Sequence, residues 1–230
     1  MKRAPAVCMV FLLSVLVLLP SCAKLPGKET EFYFDKDQYT IVQGLDGNRL
    51  IPRSFEELES STRDADGTGL IVRCSVAGPS INRIMEPTPE EREPGVVYGV
   101  NHVLTPVVIE KIFYAGENVD IKEGETYYLK ESYFYITPDT PLYWDEYGEN
   151  RVYASEYNPL VEGHSYVVYM VYRQSDIYDY NGEPILFVNG MREAVYCLTD
   201  QETAKSLVFS GDENYWSLWR DVIHTYGSNG

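Results

Sequence analysis

A chain of 230 residues holds one good core with small additions and leaves little room for two full domains. Its 35 acidic side chains outweigh 19 basic ones, for a formal net charge of −16. That charge repels phosphate, so nucleic acid and charge-driven binding to anionic lipid are both excluded as expectations.

The chain opens on Lys2 and Arg3, followed by an apolar run that ends at Leu19-Pro20-Ser21-Cys22. A charged start, about a dozen apolar residues and a small residue before a cysteine describe a secretory leader. The run is shorter than the ~20 residues a spanning helix needs. Leu19 to Cys22 resembles the lipobox of bacterial lipoproteins, which implies a leader over 1–21 and acylation of Cys22. Without the two leader bases the mature net charge becomes −18. Such a chain is expected on the extracytoplasmic face of the cell membrane, held by its lipid anchor.

Residues 22–53 read as a tether with N-terminal strands. Ala23 to Thr30 is polar and tether-like; Glu31–Phe34 and Gln38–Val42 alternate aromatic or branched residues with polar ones. Asp46-Gly47-Asn48 supplies a turn. Ser54 with Glu57 forms a capping box opening a helix to about Thr62, stopped by Asp64-Ala65-Asp66-Gly67. Leu70–Ala77 is a strand. Gly78–Gly95, with Pro79, Pro87, Pro89 and Pro94 among Glu86, Glu90, Glu91 and Glu93, reads as loop.

From Val96 the chain is β-rich. Strands are expected over Val107–Tyr114, Thr126–Lys130, Tyr133–Ile136, Arg151–Tyr153, Ser165–Tyr172, Pro184–Val188 and Ala194–Leu198. Ser165–Tyr172 is apolar on both faces, as a strand covered on both sides should be. This spacing, without βαβ alternation, predicts an all-β domain over 54–198: a small Greek-key barrel with flanking helices. Residues 199–230 form a helical appendage. Thr199-Asp200-Gln201-Glu202 matches a capping box, and Asp212 caps a last helix that carries Tyr215, Trp216, Trp219, Val222, Ile223 and Tyr226 on one face. That stripe is expected to pack on the barrel rather than lie on a bilayer.

Three segments carry a family resemblance. They are Val107-Val108-Ile109-Glu110-Lys111-Ile112-Phe113-Tyr114-Ala115-Gly116, Ile121-Lys122-Glu123-Gly124-Glu125-Thr126-Tyr127-Tyr128-Leu129, and Asn158 to Tyr169. Together they resemble a group of uncharacterised Gram-positive lipoproteins and, more distantly, netrin-like barrels of the oligonucleotide/oligosaccharide-binding (OB) type. The resemblance implies an OB-like barrel. The netrin-like cysteine framework is missing, so protease inhibition is not implied.

Of the four cysteines, Cys8 falls in the leader and Cys22 is the acylation site. Cys74 and Cys197 remain, either as a disulfide permitted by export or as two buried thiols. No His-Glu-x-x-His, Gly-x-Ser-x-Gly or Gly-x-x-x-x-Gly-Lys-Ser/Thr run occurs, and His102, His164 and His224 come without partners at a diagnostic spacing. Asp179-Tyr180-Asn181-Gly182 imitates an EF-hand centre, but Ile177 and Val188 occupy its two key ligand positions, so the segment reads as a turn. No catalytic residue, metal site or cofactor is assigned.

The 20 tyrosines suit strands and also suit recognition of sugars and peptides. Tyr143, Trp144, Tyr147, Tyr153 and Tyr157 cluster about the loop Asp139–Tyr157 and form the candidate ligand surface. The reading is a membrane-anchored, non-catalytic binding or interaction module of the cell envelope, its partner an envelope protein or glycan. The alternative is an envelope hydrolase using scattered acidic residues.

Overall fold

The structure, a computed structural model, describes residues 27–35, 37–43, 51–85, 101–140, 145–154, 158–173, 185–188, 194–208 and 211–227. In chain order the strands are β1 (Gly27–Phe32), β2 (Thr40–Gln43), β3 (Gly69–Val76), β4 (Ser80–Met85), β5 (His102–Ala115), β6 (Thr126–Glu131), β7 (Tyr133–Tyr135), β8 (Arg151–Ala154), β9 (Ser165–Arg173), β10 (Ile185–Val188) and β11 (Val195–Cys197). The helices are α1 (Phe55–Arg63), α2 (Gln201–Leu207) and α3 (Glu213–Val222), which runs into a π-helical turn, Ile223–Gly227.

Five strands close a barrel in the order β3–β5–β6–β10–β9 and back to β3. Only the β6–β10 contact in this ring is parallel. Counted within the ring the order is 1-2-3-5-4, the Greek-key path of an OB barrel. The fold class is as the sequence implies: all-β, with flanking helices. Closure through β5–β6 leaves the ring no free edge.

The fourteen-residue β5 serves two partners along one edge: β4 through Val103 and Leu104, then β3 from Val107 onward. Pro106 sits at the changeover, where its carbonyl accepts from Ala77 N–H at 2.8 Å and its missing N–H is not needed.

The two-sided apolarity of β9 is used in full. Tyr166, Val168 and Met170 point into the barrel with Leu70, Val72, Val107, Leu129 and Leu186. Val167 and Tyr169 point outward under the helices with Ile71, Tyr196, Leu218, Trp219 and Val222. The C-terminal stripe therefore packs on the barrel. It is pinned to β11 by Tyr215 Oη, donating to the Val195 carbonyl at 3.1 Å, and Trp219 Nε1, donating to the Cys197 carbonyl at 3.0 Å. On the far side of α1, Glu59 accepts from the hydroxyls of Tyr169 (2.8 Å) and Tyr226 (2.7 Å) and pairs with Arg63 at 2.8 Å, tying α1, β9 and the C-terminal turn together.

Several local expectations change. Gly27 to Thr30 is strand rather than tether, because β4 offers an edge that β1 covers over its full length. The segment read as loop, Gly78–Gly95, contains β4; its flanking prolines hid a run whose Ser80, Ile81, Asn82, Arg83 and Ile84 are all buried. Asp200, not Thr199, caps α2, accepting from the N–H groups of Glu202 and Thr203. Ser54 caps α1 as expected, while the Glu57 carboxylate reaches one residue further back, to Arg53 N–H at 2.7 Å.

Cys74 and Cys197 are both free, buried thiols. The disulfide alternative fails on register: Cys74 faces Tyr166 across β3–β9, and Cys197 faces the same Tyr166 across β11–β9. The cysteines thus stand two strand spacings apart, roughly 9.5 Å, beyond the roughly 7 Å that a disulfide tolerates between α-carbons.

Candidate functional site

Between ring strands β6 and β9 the chain places β7 and β8, which the N-terminal β2 completes into a second, three-stranded sheet in the order β2–β8–β7. Its two faces diverge. Tyr133, Tyr135, Val152 and Ala154 join the barrel core, while Phe134 stacks on Tyr153 at 5.2 Å on the other face, beside Ile84 and Ile136. Where this sheet meets the β1–β4 extension, a cavity of about 300 Å³ opens.

Three rings line one side of it. Tyr135 is edge-to-face with Phe32 at 3.9 Å and with Tyr39 at 4.4 Å between centroids. Phe32 ends β1, Tyr39 immediately precedes β2, and Tyr135 ends β7, so the wall is assembled from three distant segments. Ile136 and Pro138 extend the apolar side; Thr30, Asn82, Thr137, Glu149, Asn150 and Arg151 supply the polar groups.

The backbone around the cavity is fixed by hydrogen bonds. Asn82 behaves like a short piece of strand: its Oδ1 accepts Tyr135 N–H at 2.9 Å and its Nδ2 donates to the Tyr135 carbonyl at 3.3 Å. Thr40 N–H donates to the Asn150 carbonyl and Ile136 N–H to the Arg151 carbonyl, both at 3.0 Å. Asn150 holds φ of 56° and Gly148 φ of 73°, left-handed values that asparagine and glycine adopt cheaply. A site held this way is largely formed before anything binds.

Burial, and then neighbouring Tyr39, pushes the Tyr135 hydroxyl well above the ordinary phenol value. Tyr135 is therefore a neutral donor at any physiological pH. Glu149 and Arg151 place one negative and one positive group among the lining residues. Arg151 spends Nε on the Tyr147 carbonyl at 3.4 Å.

Behind the wall lies a buried polar chain. Fully buried Glu131 accepts from Thr105 Oγ1 on one carboxylate oxygen and from Leu160 N–H at 3.0 Å on the other. Thr105 Oγ1 also lies 2.7 Å from Ser80 Oγ. This chain faces the barrel interior and does not line the cavity; the carboxylate that does so among the described residues is Glu149.

The candidate ligand surface divides. Tyr143, Trp144 and Tyr157 lie outside the described residues, as do Cys22, the leader and Asp179–Gly182. Tyr147 and Tyr153 are half-buried and pack with Phe134 and Ile136, so they brace the small sheet instead of lining the cavity. The loop Asp139–Tyr157 does reach the cavity, through Glu149, Asn150 and Arg151. His102 begins β5 and is buried opposite Arg83.

Phe32, Tyr39, Asn82 and Tyr135 were missed as site residues. The first, second and fourth looked like ordinary strand aromatics, and nothing local joins positions a hundred residues apart. No protein-family model matches this chain, and comparison with curated proteins finds no significant match. Among the described residues there is no group of three or more histidines, cysteines or acids placed to hold a metal, and no helix long and apolar enough to cross a membrane.

Proposed function

We propose that this chain is a non-catalytic binding module of the bacterial cell envelope, held by lipid on Cys22 to the extracytoplasmic face of the membrane, with the cavity at the sheet junction as its binding site. One observation carries the binding half: a concave site with three aromatic rings, walled by hydrogen-bonded backbone, that brings in few ionisable groups. The anchoring half rests on Lys2, Arg3 and the apolar run ending Leu19-Pro20-Ser21-Cys22, and on the resemblance to Gram-positive lipoproteins. The β1 strand starts at Gly27, so only four residues separate Cys22 from the folded body. Ligand capture would then occur close to the membrane surface.

The hydrolase alternative asks for two carboxylates flanking one bond. The described lining brings Glu149 alone. Two measurements test the proposal. Intact mass of membrane-extracted protein should show acyl chains on the wild type and none on Cys22→Ala; an unmodified amino end on protein shed to the medium would overturn the anchor. Detergent-solubilised full-length protein should cosediment with isolated cell-wall fragments, and Tyr39→Ala should abolish this. Unchanged retention of Tyr39→Ala would overturn the site, and release of new reducing ends from the fragments would favour the hydrolase.

A further inference from the structure

Resting on that binding reading, we infer that the cavity takes a neutral sugar unit, stacked on Tyr39 and Phe32 and hydrogen-bonded through its hydroxyls to Arg151, Asn150 and Glu149. A pyranose ring presents an apolar C–H face and a periphery of hydroxyls that both donate and accept. The cavity offers the matching pair of surfaces. Half-buried Phe32 and Tyr39 each meet the buried Tyr135 ring edge-to-face and give the cavity apolar ring surface. The same lining carries a guanidinium, a carboxylate and an amide, the planar groups able to bridge neighbouring hydroxyls.

Charge narrows the class. Arg151 and Glu149 offset one another at the rim, and the chain as a whole is strongly acidic, so an anionic ligand gains nothing from the site and is repelled on approach. A purely apolar ligand would leave the rim groups without partners as it displaced their water. A zwitterion would depend on ion pairs with an exposed Glu149 and a half-buried Arg151, which water screens. Size narrows it further. At about 300 Å³ the cavity is at the small end of ligand clefts, room for one or two rings and not for a long polymer segment. The rigid wall fits a ligand whose own ring is rigid, since neither side then loses much freedom on binding.

The test uses full-length protein in detergent micelles, with calorimetry and saturation-transfer NMR. The probes are maltotriose and triacetylchitotriose as neutral sugars, a phosphorylated hexose, and the dipeptide D-alanyl-D-alanine. Saturable binding of at least one neutral trisaccharide is expected, weakened about tenfold or more by Tyr39→Ala and by Arg151→Ala. Asn150→Gly, which keeps the left-handed backbone and removes only the amide, should weaken it while leaving the melting temperature in place. Glu162→Gln, in an exposed turn outside the lining, should bind like wild type. Binding of neither trisaccharide, or binding that survives both alanine variants, overturns the inference. Dipeptide or phosphosugar binding that depends on Tyr39 overturns the sugar class and leaves the binding module standing; failure of the wild-type protein to cosediment with cell-wall fragments would overturn the module itself.

Discussion

Asn82 and Tyr135 are joined by two hydrogen bonds between a side-chain amide and a backbone peptide group, 2.9 and 3.3 Å long. This contact couples β4 of the large sheet to β7 of the small one, and it sets the angle at which Tyr135 meets Phe32 and Tyr39. Asn82→Ala leaves a buried N–H and a buried carbonyl without partners. Each such group costs about 1–3 kcal/mol, so the variant should lose roughly 2–4 kcal/mol in urea unfolding. Asn82→Asp keeps the acceptor for Tyr135 N–H but turns an oxygen toward the carbonyl, and should be no more stable than the alanine variant. An Asn82→Ala midpoint equal to wild type would show that the junction is held by packing alone.

Cys74 and Cys197 should remain thiols even in an oxidising compartment. Tyr166 stands between them in register with both. Burial pushes the Cys197 thiol up to about 12 and the Cys74 thiol higher still, where burial is joined by the charges of Glu110 and Glu131. Alkylation near neutral pH should therefore modify neither in the native state and both after denaturation. Rapid labelling of native protein, or a mass deficit of two hydrogens that reductant restores, would contradict the strand register.

The barrel was legible in the sequence because its strands carry local signals. Ser165–Tyr172 announced a two-sided core strand by lacking polar alternation, and Ser54 and Asp212 announced helix starts by capping chemistry. The site was not legible, for reasons visible in the same terms. Asn82 lies in a strand masked by prolines on both sides, and its partner is a backbone group 53 residues away. Phe32, Tyr39 and Tyr135 converge only because β1 pairs with β4 and β2 with β8, pairings of long sequence separation that no periodicity encodes. The loop Asp139–Tyr157 was singled out for its aromatic rings, yet what it brings to the cavity is Glu149, Asn150 and Arg151.

The tyrosines predict an alkaline limit to stability. Burial raises the hydroxyls of Tyr133, Tyr135, Tyr166, Tyr169 and Tyr226 above the ordinary value of 10.0; Glu59 adds to the effect at Tyr169 and Tyr226. The unfolded chain thus releases these protons at lower pH than the native state does. Once pH passes about 10 the native state holds more protons than the unfolded one, and stability falls as pH rises further. Below that value the groups are protonated in both states and contribute no pH dependence. Urea midpoints at roughly pH 8, 9.5 and 11 should fall modestly over the first interval, where the thiols of Cys74 and Cys197 ionise only in the unfolded chain, and more steeply over the second, where the tyrosines join them. Phenolate absorbance from this group should grow in together with loss of the native circular dichroism, not ahead of it.

The Glu131–Thr105–Ser80 chain yields a prediction that separates hydrogen bonding from charge. Glu131 accepts from Thr105 Oγ1 and from Leu160 N–H. Glu131→Gln replaces one acceptor with a donor, which would ordinarily leave two donors facing each other. Here the hydroxyls can compensate: if the glutamine oxygen keeps Leu160 N–H, its amide can donate to Thr105 Oγ1, and Thr105 can then donate to Ser80 Oγ, 2.7 Å away. The glutamine variant should therefore cost under about 1.5 kcal/mol, whereas Glu131→Met, which takes the acceptor from Leu160 N–H and leaves Thr105 only Ser80 to bond with, should cost roughly 2–4 kcal/mol. Thr105→Val removes the reversible hydroxyl, so in that background Glu131→Gln should become clearly more damaging than it is alone. A double-mutant cycle on urea unfolding measures this coupling. Additive effects of Glu131→Gln and Thr105→Val would mean that the carboxylate is held by Leu160 N–H without the hydroxyl chain.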